Sequence, residues 1–552
     1  MALRILALAA LFLAASGPLR AQPEVVPAEH DVYTFLHAQR IAGRLPAYRH
    51  EVRPLDRFTV QRHLDSLETR DAVLDRSARY WLGEYRREFF EPPGAVERVL
   101  GDGGLAIPRR SDSEKFLYYH RDDDWRVALR AIGSAQARYS EEGPAYRGVA
   151  LVPEGVLEGH YRDVLGFYSA TFDGQILGGD TRVLKADPFL APIYYVARAE
   201  RPPGSFDRST ASLRFAYRPF TAEIANERLV MGPSPLQPLV LSDNSDYFTF
   251  LRLGLDTRVV QYQFIHGALG DRSIQPPEAR DIFLGPERFL ALHRLALRPH
   301  RRVDLAFTEA VVYGQRGPEL AYLNPFFPIK PAEHALWDRD NSLFTLDAVA
   351  RPVDGLEVWG TYLVDDLNFS EVGDATVGNK WAAQAGASVA LDRLIPGATA
   401  HAEYVRIEPY TYTHRFFLDE SFYNAYQHNR FGLGHPLGPN SDQAALALDL
   451  RLPFRAHLRA TARYVRRGEA TTDSLGRLVN AGGDVNDGRV PDDLGPGSAR
   501  FLQGERIEGP GAALDLLVEP WRGLPFRLHA DWQRWDAAPD RLFLRGAFSV
   551  TL

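Results

Sequence analysis

The chain has 552 residues, 45% hydrophobic and 11% aromatic, with a formal charge of −7 and no cysteine. Disulfides and thiolate metal sites are therefore excluded, and the mild acidity offers no basic surface for nucleic acid. Beyond the first twenty or so residues no apolar run reaches the roughly 18 that a membrane-spanning helix needs, which excludes helical spans but not strands that cross a bilayer.

Arg4 precedes an apolar run from Ile5 to Ala15, followed by Ser16-Gly17-Pro18 and Leu19-Arg20-Ala21. This is the pattern of a signal peptide, expected to span residues 1–21 with cleavage after Ala21. No cysteine follows, so no acylated anchor is expected.

Residues 22–110 are expected to form a small helical bundle. Val32, Phe35, Leu36 and Gln39 fall on one helical face, and Gly43 and Pro46 end that helix. Asp56 can cap a second helix carrying Val60, Leu64 and Leu67. A third starts near Asp75, with Ala78, Trp81, Leu82, Tyr85 and Phe89 at helical spacing, and Pro92-Pro93-Gly94 stops it. Asp122-Asp123-Asp124 lacks the ligand spacing of a calcium loop and reads as a solvated turn.

From Trp125 the period changes to two. Leu446, Leu448, Leu450 and Leu452 share a face, as do Leu458, Ala460, Ala462 and Tyr464, and then Leu524, Phe526, Leu528, Ala530 and Trp532. At the end of the chain Leu542, Leu544, Gly546, Phe548, Val550 and Leu552 oppose Arg541, Phe543, Arg545, Ala547, Ser549 and Thr551. Side chains alternate across a strand, so each segment has one apolar and one mostly polar face. Short turns such as Pro453–Ala456 and Pro352–Gly355 alternate with long loops at Gly314–Asn341, Arg415–Asp442 and Gly468–Glu505. Residues 111–552 are therefore expected to form a transmembrane β-barrel of roughly eighteen antiparallel strands, its apolar faces toward lipid. The strand at Phe289–Arg298 is ambiguous in phase. Gly468–Glu505, rich in Gly, Asp, Asn and Pro, reads as a mobile surface loop without a fold of its own.

The candidate chemistry is sparse. Glu309, Asp365, Asp366 and Glu403 lie on or near strand ends, and glycoside hydrolysis would need two carboxylates roughly 5–10 Å apart. Against that reading, arginine supplies nearly all the positive charge, since lysine occurs only at Lys115, Lys185, Lys330 and Lys380. Lumen carboxylates paired with Arg228, Arg294 and Arg406 are the simpler expectation. Tyr322-Leu-Asn324-Pro-Phe-Phe-Pro328 combines aromatic rings with an amide, which suits a sugar's apolar faces and hydroxyls or, alternatively, a loop folded inward to constrict a pore. The histidines His414, His428 and His435 fit no zinc spacing.

Several stretches resemble the Wzi family of outer-membrane capsule-assembly proteins. They include Asp31-Val-Tyr-Thr-Phe-Leu36, Pro54-Leu-Asp-Arg57 and Tyr85-Arg-Arg-Glu-Phe89, then Asn226-Glu-Arg228, Met231-Gly-Pro233 and His293-Arg-Leu295. Further on are Thr308-Glu309, Tyr322-Leu-Asn-Pro325, Asp340-Asn341, Asp365-Asp366, Glu403-Tyr404, Pro409-Tyr-Thr-Tyr412 and Leu433-Gly-His-Pro-Leu-Gly-Pro-Asn440. The terminal Leu552 departs from the aromatic with which many outer-membrane barrels end. The resemblance implies an eighteen-stranded barrel in the outer membrane with a helical bundle at its periplasmic end. It also implies a lectin-like role, anchoring exported capsular or extracellular polysaccharide without catalysis; no cofactor or metal is expected from the residues. Polysaccharide or lumen candidates are then Arg228, Arg294, Glu309, Tyr322, Asn324, Asn341, Asp365, Asp366, Glu403, Tyr404, His435 and Asn440. Membrane lipid and, during biogenesis, the barrel-assembly machinery are the other expected partners. An oligosaccharide-permeable channel and a glycan-cleaving enzyme stay open as alternatives.

Overall fold

A computed structural model describes residues 22–101, 104–105, 111–192, 204–270, 288–337, 339–367, 379–414, 424–472, 475–476, 478–489 and 499–552. The expected signal peptide, residues 1–21, lies outside them, as does the side chain of Asp366.

Eighteen antiparallel strands, from Trp125–Glu142 to Arg541–Thr551, form a closed barrel. The last strand closes it against the first, from Arg541↔Glu142 to Thr551↔Ile132. Alternation along the last strand works as its sequence implies: Phe548, Val550 and Leu552 are exposed outside, whereas Phe543 and Ala547 are buried inside. Around the wall Leu151, Leu213, Phe215, Ile224, Leu295, Phe307, Leu346 and Leu446 face outward and exposed. Apolar side chains on the convex face of a closed sheet need a nonaqueous surround, and closure leaves no unpaired edge in it.

The N-terminal segment forms three helices, α1 (Val32–Ile41), α2 (Arg57–Glu68) and α3 (Arg76–Phe90). Asp56 and Asp75 cap α2 and α3, each accepting from the amide three residues on, Thr59 and Ala78, at 2.8 Å. Val32, Phe35, Leu36, Val60, Leu64, Leu67, Trp81, Leu82, Tyr85 and Phe89 make one buried core. The helical part ends at Phe90. Residues beyond it add short strands, Val96–Arg98 pairing with Glu114–Phe116.

The helices occupy the end of the barrel where the connections are short, at 161–165, 217–220, 300–303, 353–356 and 452–456. Gly355 N donates to Ile41 O at 2.8 Å, and Ser77 Oγ to Arg451 O at 2.7 Å. The opposite end carries the long connections, and these take two directions. Loop 227–248 and the described parts of 407–441, residues 407–414 and 424–441, fold into the lumen. There Leu229, Met231, Leu239, Leu241, Tyr412, Tyr426 and Leu433 pack on the inward faces of Phe250, Ile265, Leu290, Leu292, Val312 and Val405. The first of these loops reaches the N-terminal segment: Val230 and Met231 pair with Arg53 and Val52 as an antiparallel ladder. The N-terminal segment, here the insert, and the inward-folded segments of 227–248 and 407–441, here the cork, thus meet inside the barrel.

Loop 314–341 goes the other way. Ala291, Val311 and Tyr313, on the outer face of their strands, are buried under Tyr322, Ile329 and Ala332. The alternative of a loop folded inward to constrict the pore is therefore corrected: this segment is a strap on the outside of the wall. It also explains the unreadable phase of the strand Arg288–His300. Leu290 and Leu292 face the cork while Phe289 and Ala291 face the strap, so both faces are apolar and alternation is lost.

Candidate functional site

Two buried charge networks hold the helices to the wall. In one, Arg40 of α1 donates to Glu357 Oε2 at 2.7 Å, Asp304 Oδ2 at 3.0 Å and the Tyr48 carbonyl at 2.7 Å. In the other, Arg451 clamps Asp31 through Nη1–Oδ2 at 2.6 Å and Nη2–Oδ1 at 2.9 Å. Burial raises the Asp31 carboxyl's pKa, but Arg451 and His457 outweigh it and hold the group well below the usual range. A third cluster pairs Arg126 with Glu91 and Glu158, at 2.5 and 2.8 Å. These partners belong to distant parts of the sequence, and helical periodicity alone did not predict them.

His37, His50 and Glu357 bring potential metal-ligating atoms within 4.8 Å of one another. Most of these atoms are otherwise engaged, His50 Nδ1 being the buried one without a hydrogen bond. His37 Nε2 bonds Glu357 Oε1 at 2.7 Å, His50 Nε2 bonds the Pro233 carbonyl at 2.9 Å, and the two rings stack at 3.9 Å. Burial, reinforced by His37, pushes His50 down to about 3, so it stays neutral at ordinary pH. This cluster acts as a clamp between insert, wall and cork.

On the long-loop end the cork carries a polar shelf. Gln427–His428 pairs with Phe431–Gly432, and Asn429 and Arg430 form the two-residue turn between them, at φ 51° and 74°. Both φ values are positive, as a tight hairpin turn of this length demands; Asn tolerates that region, and Arg rarely adopts it. The turn leaves Arg430 exposed. Asn486 Nδ2 donates to the Arg430 carbonyl at 3.1 Å, Asn244 Nδ2 to the Gly432 carbonyl at 2.9 Å, and Asp484, Asp487 and Arg489 lie alongside in sequence. Three loops thus present amides, carboxylates and guanidinium groups together above a buried apolar base.

Many of the candidates read from sequence hold this structure together. Asp365 Oδ2 accepts from Tyr412 N at 2.6 Å, Asn341 Nδ2 donates to Asn424 O at 3.0 Å, and both tie the cork to the wall. Asn440 Nδ2 reaches the carbonyls of Gly468, Ala481 and Gln503 at 2.8–3.1 Å, while its Oδ1 accepts from Leu502 N. Ala481 and Ala499 are buried, so the described part of 469–505 packs against the cork and is not the free solvated loop expected. Glu403 accepts from Ser234 at 2.5 Å and Gln384 at 2.9 Å, and His435 is buried, its Nδ1 accepting from Leu437 N. Arg294 bonds Thr308 and Asp347, the lumen pairing anticipated for arginine. Arg228 lies 5.0 Å from the Tyr247 ring centroid.

Other candidates lie on the outside. Glu309 bonds His293 at 2.9 Å and accepts from the Ile329 amide at 3.1 Å, holding the first turn of the strap helix Ile329–Ala335. It faces away from Asp365 and Glu403, so these carboxylates do not converge on one bond. Tyr322 is buried in the strap, its hydroxyl donating to Asp340 at 2.9 Å, while Asn324 accepts from Phe326 N. Tyr404 is half exposed on the outer wall, where its hydroxyl donates to Asp442 at 2.8 Å.

Along the other side of the lumen, between the helices and the wall, lies a cavity of about 440 Å³. Glu29, Arg130, Glu154, Tyr168, Glu519 and Arg527 are among its lining.

No protein-family model matches the sequence, and comparison with curated proteins finds no match. Among solved structures the chain is similar to Wzi of Escherichia coli, described as an outer-membrane protein involved in group 1 capsule assembly and a carbohydrate-binding β-barrel. The two share 11% identity at a TM-score of 0.58, covering 96% of this chain and 99% of that one. Matches to Acinetobacter baumannii OccAB2 (9% identity, TM-score 0.46) and Pseudomonas aeruginosa OprD (12%, 0.42) each cover 77% of this chain, and 98% and 93% of theirs. Closed strands, outward apolar belt and shared fold together make this an outer-membrane, multi-pass β-barrel.

Proposed function

We propose that this barrel binds a long extracellular or capsular polysaccharide and anchors it at the cell surface, without catalysis. The observation that carries the reading is the shelf. Asn244, Arg430, Asp484 and Asn486 gather hydrogen-bonding groups from three loops at the end facing away from the helical insert, which on this reading lies in the periplasm. Sugar hydroxyls need such dense donors and acceptors. A repeating polymer lets many weak contacts add along its length. The packed base beneath fixes the shelf before binding, which reduces the ordering cost. Support also comes from the likeness to a carbohydrate-binding barrel, at the level of fold.

Titrating the purified barrel with the host's own surface polymer tests the proposal. Binding should be saturable, and an Arg430→Ala Asn486→Ala variant should bind at least roughly tenfold more weakly, given about 1 kcal/mol for each lost hydrogen bond and more for a charged one. Equal binding by that variant would refute the shelf.

The cavity beside the helices favours a second reading, an oligosaccharide-permeable channel. Planar-bilayer recording separates the two. Steady open-channel current that oligosaccharide blocks would support the channel, and a silent barrel the anchor.

A further inference from the structure

The strap 314–341 has two unlike sides. Its inner side covers the pair His293–Glu309 and the rings of Phe289 and Tyr313, and its charges turn toward one another. Arg316 bonds Asp340 at 2.6 Å, and Lys330 bonds Glu333 at 2.7 Å. Its outer side is dominated by large apolar side chains, Leu320 79% exposed, Phe326 85% and Trp337 91%, among which Gln315, Asn324 and His334 are the exposed polar residues of the described strap. Three large apolar side chains this exposed on one 28-residue excursion (314–341) would be costly in water, at about 25 cal/mol per Å².

The strap lies directly above bare, lipid-facing wall. On the two strands beneath it Leu295, Leu297, Leu305 and Phe307 are exposed, and Phe307 stacks on Phe344 of the next strand at 6.1 Å. One rung further from the short-turn end the outward residues become His293 and Glu309, polar groups that a hydrocarbon surface would not tolerate. Those are the groups the strap covers. Tyr262, also on the outer wall, donates its hydroxyl to the Pro325 carbonyl, and its ring stacks on Phe326 at 6.4 Å. Tyr262 and Phe326 thus join the apolar surface of the wall to that of the strap.

We propose that the outer side of this strap is embedded in the outer leaflet of the membrane, with Leu320, Phe326 and Trp337 among the acyl chains just below the headgroups. The occupant is lipid because the patch continues the belt that lipid already covers. The depth is interfacial because lipid-exposed irregular backbone is not found in the hydrocarbon centre, whereas Trp and Tyr concentrate at its boundary, where Trp337 and Tyr262 would lie. The strap thereby widens the lipid-anchored footprint of the wall and shields the Glu309–His293 pair. This inference is independent of the polysaccharide reading.

The chain contains no cysteine, so a single Cys at Phe326 or Trp337, labelled with an environment-sensitive fluorophore, gives a clean probe in reconstituted phospholipid vesicles. Trp337 is 91% exposed and Phe326 85%, and among the described residues the one ring contact either gives up is that of Phe326 with Tyr262. A label at Leu446, 64% exposed in the belt, is the lipid reference, and one at the exposed Arg489 is the aqueous reference. The strap labels should emit blue-shifted light and lose intensity to lipid-borne nitroxide as the Leu446 label does. Quenching by aqueous iodide to the extent seen at Arg489 would overturn the proposal. Shielding from both quenchers would overturn it too, because it would mean that protein covers the patch.

Discussion

Arg40 and Glu357, 317 residues apart in sequence, meet inside the barrel with Nε and Oε2 2.7 Å apart and both side chains fully buried. One belongs to a helix of the N-terminal segment and the other to a wall strand. The helices are therefore an insert of the barrel, and Arg40 finds two of its three carboxylate partners, Glu357 and Asp304, on the wall.

Arg40→Met should unseat this insert. The change takes the guanidinium from buried Glu357 and Glu51, while Asp304 keeps Arg298 at 2.5 Å and Glu357 keeps its hydrogen bond with His37 at 2.7 Å. Removing one partner of a buried pair costs about 3–5 kcal/mol, so amide protection in 32–41 should fall roughly 100-fold or more. Hydrogen exchange in detergent would read this. Protection of the wall strands should hold, since their ladders do not involve Arg40.

Acid should loosen the insert before the wall. Burial pushes His50 and His63 down to about 3, from the ordinary value of 6.5. Between those values the unfolded segment binds protons that the folded one refuses. Stability is thus complete above about pH 6.5 and falls, by about 1.4 kcal/mol per pH unit for each histidine, as pH drops toward 3. His30 opposes this: burial lowers it, but Glu88 raises it further, so its contribution is present at low pH and lost as pH rises. Two histidines against one leave a net loss. Exchange of α1 and α2 amides should accelerate from pH 7 to pH 5 while the wall stays protected; pH-independent exchange in that window would contradict the assignment.

Asn440→Ala should disorder the edge of the shelf without damaging the barrel. It removes three bonds to the carbonyls of Gly468, Ala481 and Gln503 and one from Leu502 N, and its φ of 54° suits Asn better than Ala. A local cost of about 2 kcal/mol should expose 478–489 to protease at an unchanged melting transition.

Much of this was legible in the chain. The helix cap at Asp56, the start of the third helix near Asp75, the change of period at Trp125 and the alternation of the last strand follow from local spacing. The buried roles of Arg40 and His37 were not legible, because a polar helical face normally meets water and here meets a polar lumen. Asp365, Asn341 and Asn440 carry residue types that suit sugar binding equally well, and only tertiary contacts reveal that their polar atoms hold loops. The outward strap did leave a trace. The missing alternation at Phe289–Arg298 was the mark of a strand covered on both faces.

Retention of polymer by living cells tests the central claim most directly. In a strain lacking this chain, with synthesis unchanged, the account predicts that polysaccharide is shed into the medium. The intact protein should restore retention and the Arg430→Ala Asn486→Ala variant should not. Polymer that stays cell-bound in the deletion strain would contradict the anchor.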